Sequence, residues 1–125
     1  MIEDKDYFMR LIHETVRMLT RLIFQKDIDA QSDLSVPAEL METYEELTAM
    51  IDNGQINEAE NLLLESLDPE NRAYFQMALM FYERLGCKSE QFLEEHDYTQ
   101  EEVMDGLKYL VDSCGYGVLW DTVSN

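Results

Sequence analysis

The chain has 125 residues, of which 27 are acidic and nine are basic, so its formal net charge at pH 7 is −18. Such a surface repels nucleic acid, whose binding proteins present basic patches, and we expect no nucleic-acid partner. The charge is uneven along the chain. Residues 1–26 carry five basic and four acidic side chains, a net +1, whereas residues 27–125 carry four basic and 23 acidic ones, a net −19.

The first 26 residues predict a basic amphipathic helix over residues 4–26. Arg10, Arg17 and Arg21 lie on its polar face together with His13. We take these three arginines as the candidate partner-binding residues. The opposite face carries a wide apolar stripe made of Phe8, Leu11, Ile12, Val16, Met18, Leu19, Leu22 and Ile23. This stripe predicts burial against protein, either the chain's own body or a second subunit.

The length suits a single helical domain, residues 1–125. After the first helix, residues 27–36 show no strong periodicity and predict a linker. Residues 37–115 predict an acidic helical body, and residues 116–125 a tail in which Trp120 folds back on that body.

The stretch from Arg72 to Leu85 predicts the central helix of the body. Its apolar side chains form two neighbouring stripes, so the helix must be covered on more than one side. It is too short to span a bilayer, which requires about 20 apolar residues. The two stripes consist of Tyr74, Ala78, Phe81 and Leu85, and of Phe75, Leu79 and Tyr82.

Capping signals predict where the other helices begin and end. They predict a second helix that starts at Ser35–Pro37 and ends at Asn53–Gly54, and a third that starts with an Asn57–Glu60 capping box. The central helix is predicted to start at Asp68-Pro69-Glu70 and to end at Gly86. A short helix is predicted to start at Ser89. A last long helix is predicted to start at Thr99 with Glu102 and to end near Gly115. No run alternates at period two, so we predict an all-α, compact bundle of five or six helices.

Residues 47–67 resemble one tetratricopeptide-type helical hairpin. Gly54 sits near the turn, Ala59 is the small residue where the helices approach, and Leu63 and Leu67 fill the groove between them. One such unit does not make a solenoid, which requires about three repeats. We therefore expect a hairpin of this type within a compact bundle.

At the scale of the whole chain, four segments carry a second resemblance. They are Asp6-Tyr7-x-Met9-Arg10-x-Ile12 with Val16-Arg17, the run from Arg21 to Asp27, the run from Ile56 to Leu62, and the run from Phe92 to Asp97. The chain in this respect resembles an uncharacterised family of short acidic bacterial proteins, a domain of unknown function. The resemblance implies a cytosolic helical protein and provides no catalytic residue.

The residues themselves indicate no catalytic site, cofactor or metal. His96 lies among carboxylates in Glu94-Glu95-His96-Asp97, but adjacent residues of a helix diverge and do not converge on one ion. We interpret His13 as a solvated surface histidine. Cys87 and Cys114 form no recognisable motif, and their spacing does not exclude a disulfide. The acidic start lacks the apolar core of a signal peptide, so we expect a cytoplasmic location with reduced thiols.

Three classes of function follow from these observations. The leading hypothesis is a small cytoplasmic protein–protein interaction module without catalytic activity, whose acidic surface suits a basic partner. The first alternative is a membrane-surface or self-associating protein that acts through the N-terminal helix. The second alternative is an enzyme with an unrecognised site, which no motif supports.

Overall fold

The structure, a computed structural model, describes residues 4–24 and 36–124, with side-chain surroundings for residues 7–23 and 36–120. Seven α-helices, one 3-10 turn and no strand occur in these ranges, which confirms the all-α prediction. The 3-10 turn is Ala38–Leu40, and the helices are α1 Asp4–Phe24, α2 Met41–Asp52, α3 Ile56–Glu65, α4 Arg72–Gly86, α5 Glu90–Glu95, α6 Gln100–Ser113 and α7 Gly117–Ser124. The prediction of five or six helices omitted α7, because the tail was not recognised as helical. Apart from Val36, the predicted linker 27–36 lies outside the described residues.

Helix α4 lies at the centre and contacts α1, α2 and α6. Both of its predicted apolar stripes are buried, because neighbouring helices cover it on several sides. Phe81 is 0% exposed and Tyr82 packs edge-on against it, with ring centroids 5.2 Å apart. The sequence-based prediction of a central buried helix is therefore correct.

Helix α1 packs on the chain's own body, against α4 and α7. Its residues Ile12, Val16, Leu19 and Ile23 are buried in the common core. The approach to α4 is close at Gly86, where a Cβ atom would lie only 2.7 Å from Cγ2 of Ile12. The glycine therefore lets the two helix backbones come together.

Polar contacts also fix α1 on α4. The guanidinium of Arg72 donates to the backbone carbonyl of Ile23 at 2.6 Å, where the last turn of α1 has no intrahelical donor. Nδ1 of His13 contacts a carboxylate oxygen of Glu83. The interpretation of His13 as a solvated surface histidine is correct in part: its side chain is 44% exposed, but α4 brings an acidic partner to it.

Two predicted caps are confirmed, whereas the predicted start of α4 is wrong. The hydroxyls of Ser89 and Thr99 accept from the backbone amides three residues later, at 3.0 and 3.1 Å. Asp68 instead closes a turn ahead of the helix by accepting from the amide of Glu70 at 3.0 Å. The cap of α4 is Asn71, whose side-chain oxygen accepts from the amide of Tyr74 at 3.0 Å.

The predicted capping box of Asn57 and Glu60 is also wrong. Helix α3 already begins at Ile56, so Asn57 lies inside the first turn and donates to the carbonyl of Asp97 at 3.2 Å. The Glu60 carboxylate turns inward and accepts from the hydroxyl of Tyr82 at 2.7 Å. In a capping box, Glu60 would accept from the backbone amide of the cap residue; here it accepts from the hydroxyl of a buried tyrosine instead.

Glu60 occupies the place where α3, α4 and α6 meet. Helix α6 presents Gly106 there, and a Cβ atom at this position would lie 2.6 Å from both Oε2 of Glu60 and Cε1 of Tyr82. Burial raises the pKa of the Glu60 carboxyl, and the repulsion from Glu102 adds to the rise, against the hydrogen bond from Tyr82. Ionised Glu60 therefore opposes folding.

The stability of the core is tested by Phe81→Ala. We expect a loss of about 3–5 kcal/mol in the free energy of unfolding, because deletion of a fully buried ring leaves a cavity. Urea denaturation followed by circular dichroism measures this loss. The matched control is Val118→Ala on α7, where Val118 is 83% exposed and the change should stay within about 0.5 kcal/mol. Equal effects of the two substitutions would contradict the buried position of Phe81.

The cost of burying Glu60 is tested by Glu60→Gln across pH. The folded state binds the Glu60 proton more tightly than the unfolded state, so this group stabilises the fold at low pH and loses that contribution as pH rises through its folded pKa. We therefore expect Glu60→Gln to raise the free energy of unfolding at pH 7. The gain should disappear below pH 4.5, the ordinary pKa of a glutamate carboxyl.

The control for this measurement is Glu58→Gln, which removes one charge from an exposed position of the same helix. Its effect on the free energy of unfolding should stay within about 0.5 kcal/mol at both pH values. An equal gain from both substitutions would attribute the effect to the net charge of the protein and contradict the account of Glu60.

Candidate functional site

An open groove of about 690 Å³ lies beside the α2–α3 hairpin. The buried side chains of Leu47 and Tyr74 contribute to its lining. Leu62 also lines it and is 49% exposed. The remaining lining residues combine apolar side chains with three polar ones: Ala49 and Met50, then Thr43, Glu46 and Ser66. We call this surface the hairpin groove.

The geometry of α3 explains why a leucine is exposed there. Consecutive residues of an α-helix point about 100° apart, so the run Leu62-Leu63-Leu64 cannot face one side. Leu63 is fully buried, whereas Leu62 lines the hairpin groove and Leu64 lies on a different side of α3. An apolar side chain is therefore presented to solvent within a concave surface.

Polar side chains of the groove lining contribute hydrogen-bonding groups. The hydroxyl of Tyr74 donates to the carbonyl of Leu63 at 2.6 Å, and burial raises the pKa of that hydroxyl. It therefore stays protonated and serves as a fixed donor inside the fold. Glu46, Thr43 and Ser66 supply a carboxylate and two hydroxyls to the lining.

The hairpin and its flanks are strongly acidic. Residues 36–71 contain ten acidic side chains and no lysine, arginine or histidine. The exposed carboxylates among them include those of Glu42, Glu45, Glu46, Glu58 and Glu65. The electrostatic potential around the groove is therefore negative.

The few basic residues of the body are engaged elsewhere. Arg84 and Lys88 both bind Asp52 at the end of α2, with N–O distances of 2.8 and 2.6 Å. Lys108 pairs with Asp112 within α6 at 3.0 Å, and Arg72 donates to α1. Within the described ranges, Asp52 is the one carboxylate of residues 36–71 that forms an ion pair.

The three arginines predicted as partner-binding residues lie on α1, away from the hairpin groove. Arg17 and Arg21 line a shallow depression of about 230 Å³ together with Glu14 and Met18. Arg10 is exposed but does not contribute to that depression. The structure thus brings two of the three arginines together, and none of the three forms an ion pair with a described carboxylate.

The remaining candidate residues for catalysis or metal binding are His96, Cys87 and Cys114. Nδ1 of His96 lies 2.8 Å from the carbonyl of Phe92, and the imidazole packs on that phenyl ring with centroids 4.5 Å apart. Cys87 is exposed and Cys114 is buried, both as free thiols. Burial raises the pKa of the Cys114 thiol, and partial burial of the Cys87 sulfur together with the nearby Glu83 carboxylate raises the pKa of the Cys87 thiol, which favours the protonated form of both.

Two further findings concern metals and membranes. Among the described residues, no group of three or more histidine, cysteine, aspartate or glutamate side chains is placed to hold a metal ion. No helix in the described part of the chain combines the length and apolar character that crossing a membrane requires.

Sequence reasoning did not identify the residues of the hairpin groove as a site. One signal was present: Ala49 is apolar but falls outside the buried stripe of its helix. Another was the absence of any basic residue between positions 36 and 71. The participation of Tyr74, which belongs to the central helix, could not be read from these patterns.

Comparisons with known proteins give one match. A family of unknown function (DUF6483) matches residues 1–115, which is most of the chain. The search of curated proteins and the search of solved structures each found no match. The family confirms the resemblance drawn from the sequence, and the chain belongs to this family of unknown function.

Proposed function

We propose that the protein is a cytoplasmic interaction module that binds a basic amphipathic segment of a partner protein in the hairpin groove, without a catalytic step. The observation that carries this proposal is an open apolar groove set in a stretch of ten acidic and no basic residues. The tetratricopeptide-like character of residues 47–67 belongs to the same proposal.

The size and lining of the groove favour a helical segment with apolar anchors. Its volume of about 690 Å³ lies within the range of ligand sites in proteins, roughly 300–1,000 Å³. An apolar side chain buried there would cover Leu62 and contact Leu47 and Met50. Full burial of one such side chain contributes about 1.5–3 kcal/mol.

The charge of the groove's surroundings favours basic residues around those anchors. Glu46 lies in the groove, and Glu42, Glu45 and Glu65 are exposed on the two hairpin helices. Exposed charge pairs contribute little to affinity, about 0–1 kcal/mol each. Their main effects are faster association and rejection of acidic segments, both of which weaken as salt increases.

The proposal is tested with a synthetic 18-residue helical peptide of leucine and lysine in amphipathic order. We expect saturable binding, with amide chemical-shift changes in the protein confined to α2, α3 and the start of α4. Leu62→Ser should weaken binding about tenfold, because losing about 1.4 kcal/mol of apolar contact corresponds to that factor.

Two controls make this test specific. Val118→Ser removes an exposed apolar side chain from α7, outside the groove, and should leave the affinity unchanged. A peptide with glutamate in place of lysine should not bind. Equal binding of both peptides, or shift changes centred on α1, would contradict the proposal.

A second candidate function acts through α1, as self-association or binding to an anionic membrane surface. The observation in its favour is that Tyr7, Met18 and Leu22 are exposed on the helix that carries Arg17 and Arg21. Deep insertion of this helix would require its buried residues to leave the core, among them Ile12 and Leu19. That cost favours the hairpin groove over α1 as the binding surface.

A further inference from the structure

A second cavity, of about 350 Å³, lies on another side of α3, between α3 and α6. Its lining contains three carboxylates, from Glu60, Glu102 and Asp105, and two phenol side chains, from Tyr98 and Tyr109. Tyr98 is buried, whereas Tyr109 is 56% exposed. We call it the tyrosine pocket.

The Glu60 carboxylate lies in the interior of the pocket and is held in place by its neighbours. The Glu60 carboxylate accepts from the hydroxyl of Tyr82 at 2.7 Å. Burial raises the pKa of Tyr82, so this hydroxyl remains a donor. Gly106 leaves room for both groups, because a Cβ atom would lie within 2.8 Å of the Tyr82 hydroxyl oxygen. The carboxylate is therefore fixed in position before any ligand arrives.

The part of the chain that the structure describes provides no counter-ion to the pocket. In the ranges that the structure describes, Glu60, Glu102 and Asp105 form no ion pair, and the nearest lysine in sequence, Lys108, binds Asp112. A partly buried carboxylate without a cation is costly, and a bound cation would offset that cost. The pocket therefore selects a positively charged ligand.

The dimensions and the lining indicate which kind of cation. The described acidic side chains do not converge in a group that could hold a metal ion, so a bare ion finds no coordination shell. The volume of about 350 Å³ suits a group of side-chain size, at the lower end of ligand sites. The ring of Tyr109, which is 56% exposed, can attract an alkylammonium or guanidinium group through its electron-rich face.

We infer that the tyrosine pocket is a binding site for an organic cation, an alkylammonium or guanidinium group. The group can belong to a free polyamine or to a lysine or arginine side chain of a polypeptide. The inference does not depend on the hairpin groove, because the two cavities have no lining residue in common.

The test uses n-butylammonium and methylguanidinium as probes, followed by amide chemical shifts of the full chain at constant ionic strength. We expect saturable shifts at Gly106, Tyr109 and their neighbours, with dissociation constants in about the millimolar range, as befits ligands of so few atoms. The neutral analogues n-butanol and methylurea should cause no saturable shift. Saturation by the neutral analogues, or no saturation by either cation, would overturn the inference.

Two variants distinguish binding in the pocket from nonspecific attraction of cations to an acidic protein. Glu60→Gln should weaken binding at least tenfold while the protein stays folded, because the amide still accepts from Tyr82. Glu58→Gln removes the same charge from an exposed position on α3 outside the pocket and should leave binding unchanged. Equal weakening by both substitutions would show nonspecific attraction and overturn the inference.

Two further probes distinguish the sources of the cation. Spermidine represents a free polyamine, and a short peptide with one lysine among neutral residues represents a polypeptide. Both contain the inferred chemical group, and tighter binding of one identifies the source. Failure of both to compete with n-butylammonium would contradict the assignment of a cation site.

Discussion

The structure depends on the burial of α4 on several sides. Both apolar stripes of this helix must be removed from water, and no single neighbouring helix is wide enough to cover them. Helices α1, α2 and α6 share that task. Gly86 allows the close approach of α1, since any larger residue would collide with Ile12 on that helix. The basic N-terminal helix is consequently part of the core.

This arrangement determines where the surface remains open. Helix α3 packs against α2 and buries Ala59 and Leu63, and its other sides face the hairpin groove and the tyrosine pocket. The basic residues of the body are held at Asp52, at Asp112 and at the end of α1. Both cavities therefore lie on acidic surface that the chain itself leaves without described cations. The proposed ligands, a basic segment and an organic cation, follow from that imbalance.

Much of the fold could be predicted from the sequence, because it rests on periodicity and capping. The stripes of α4, the caps Ser89 and Thr99, and the helix end at Gly54, where φ is +87°, all depend on residues close together in the chain. Long-range partners could not be predicted. Glu60 fits a capping box by spacing, but Tyr82 from another helix offers its hydroxyl and takes the carboxylate inward. His13 likewise meets Glu83 from a helix 70 positions away.

The candidate sites were harder to predict for the same reason. The hairpin groove needs Tyr74 from α4, and the tyrosine pocket needs Glu60 from α3 beside Tyr109 from α6. Composition indicated an acidic binding surface, but the charge contrast between α1 and the body favoured the arginines of α1 as the predicted binding residues. A residue's charge is visible in the sequence, whereas the concavity that gives it a role arises only when helices pack.

Native-state hydrogen exchange tests most directly whether α1 is an integral part of this core. Because α1 and α4 bury a common set of side chains, we expect their slowest amides to exchange through the same opening. Its free energy should equal that of global unfolding measured in urea. If the amides of α1 instead exchange through an opening that costs about 2 kcal/mol less than that of α4, the helix detaches on its own. That result would contradict the account and favour α1 as the binding element.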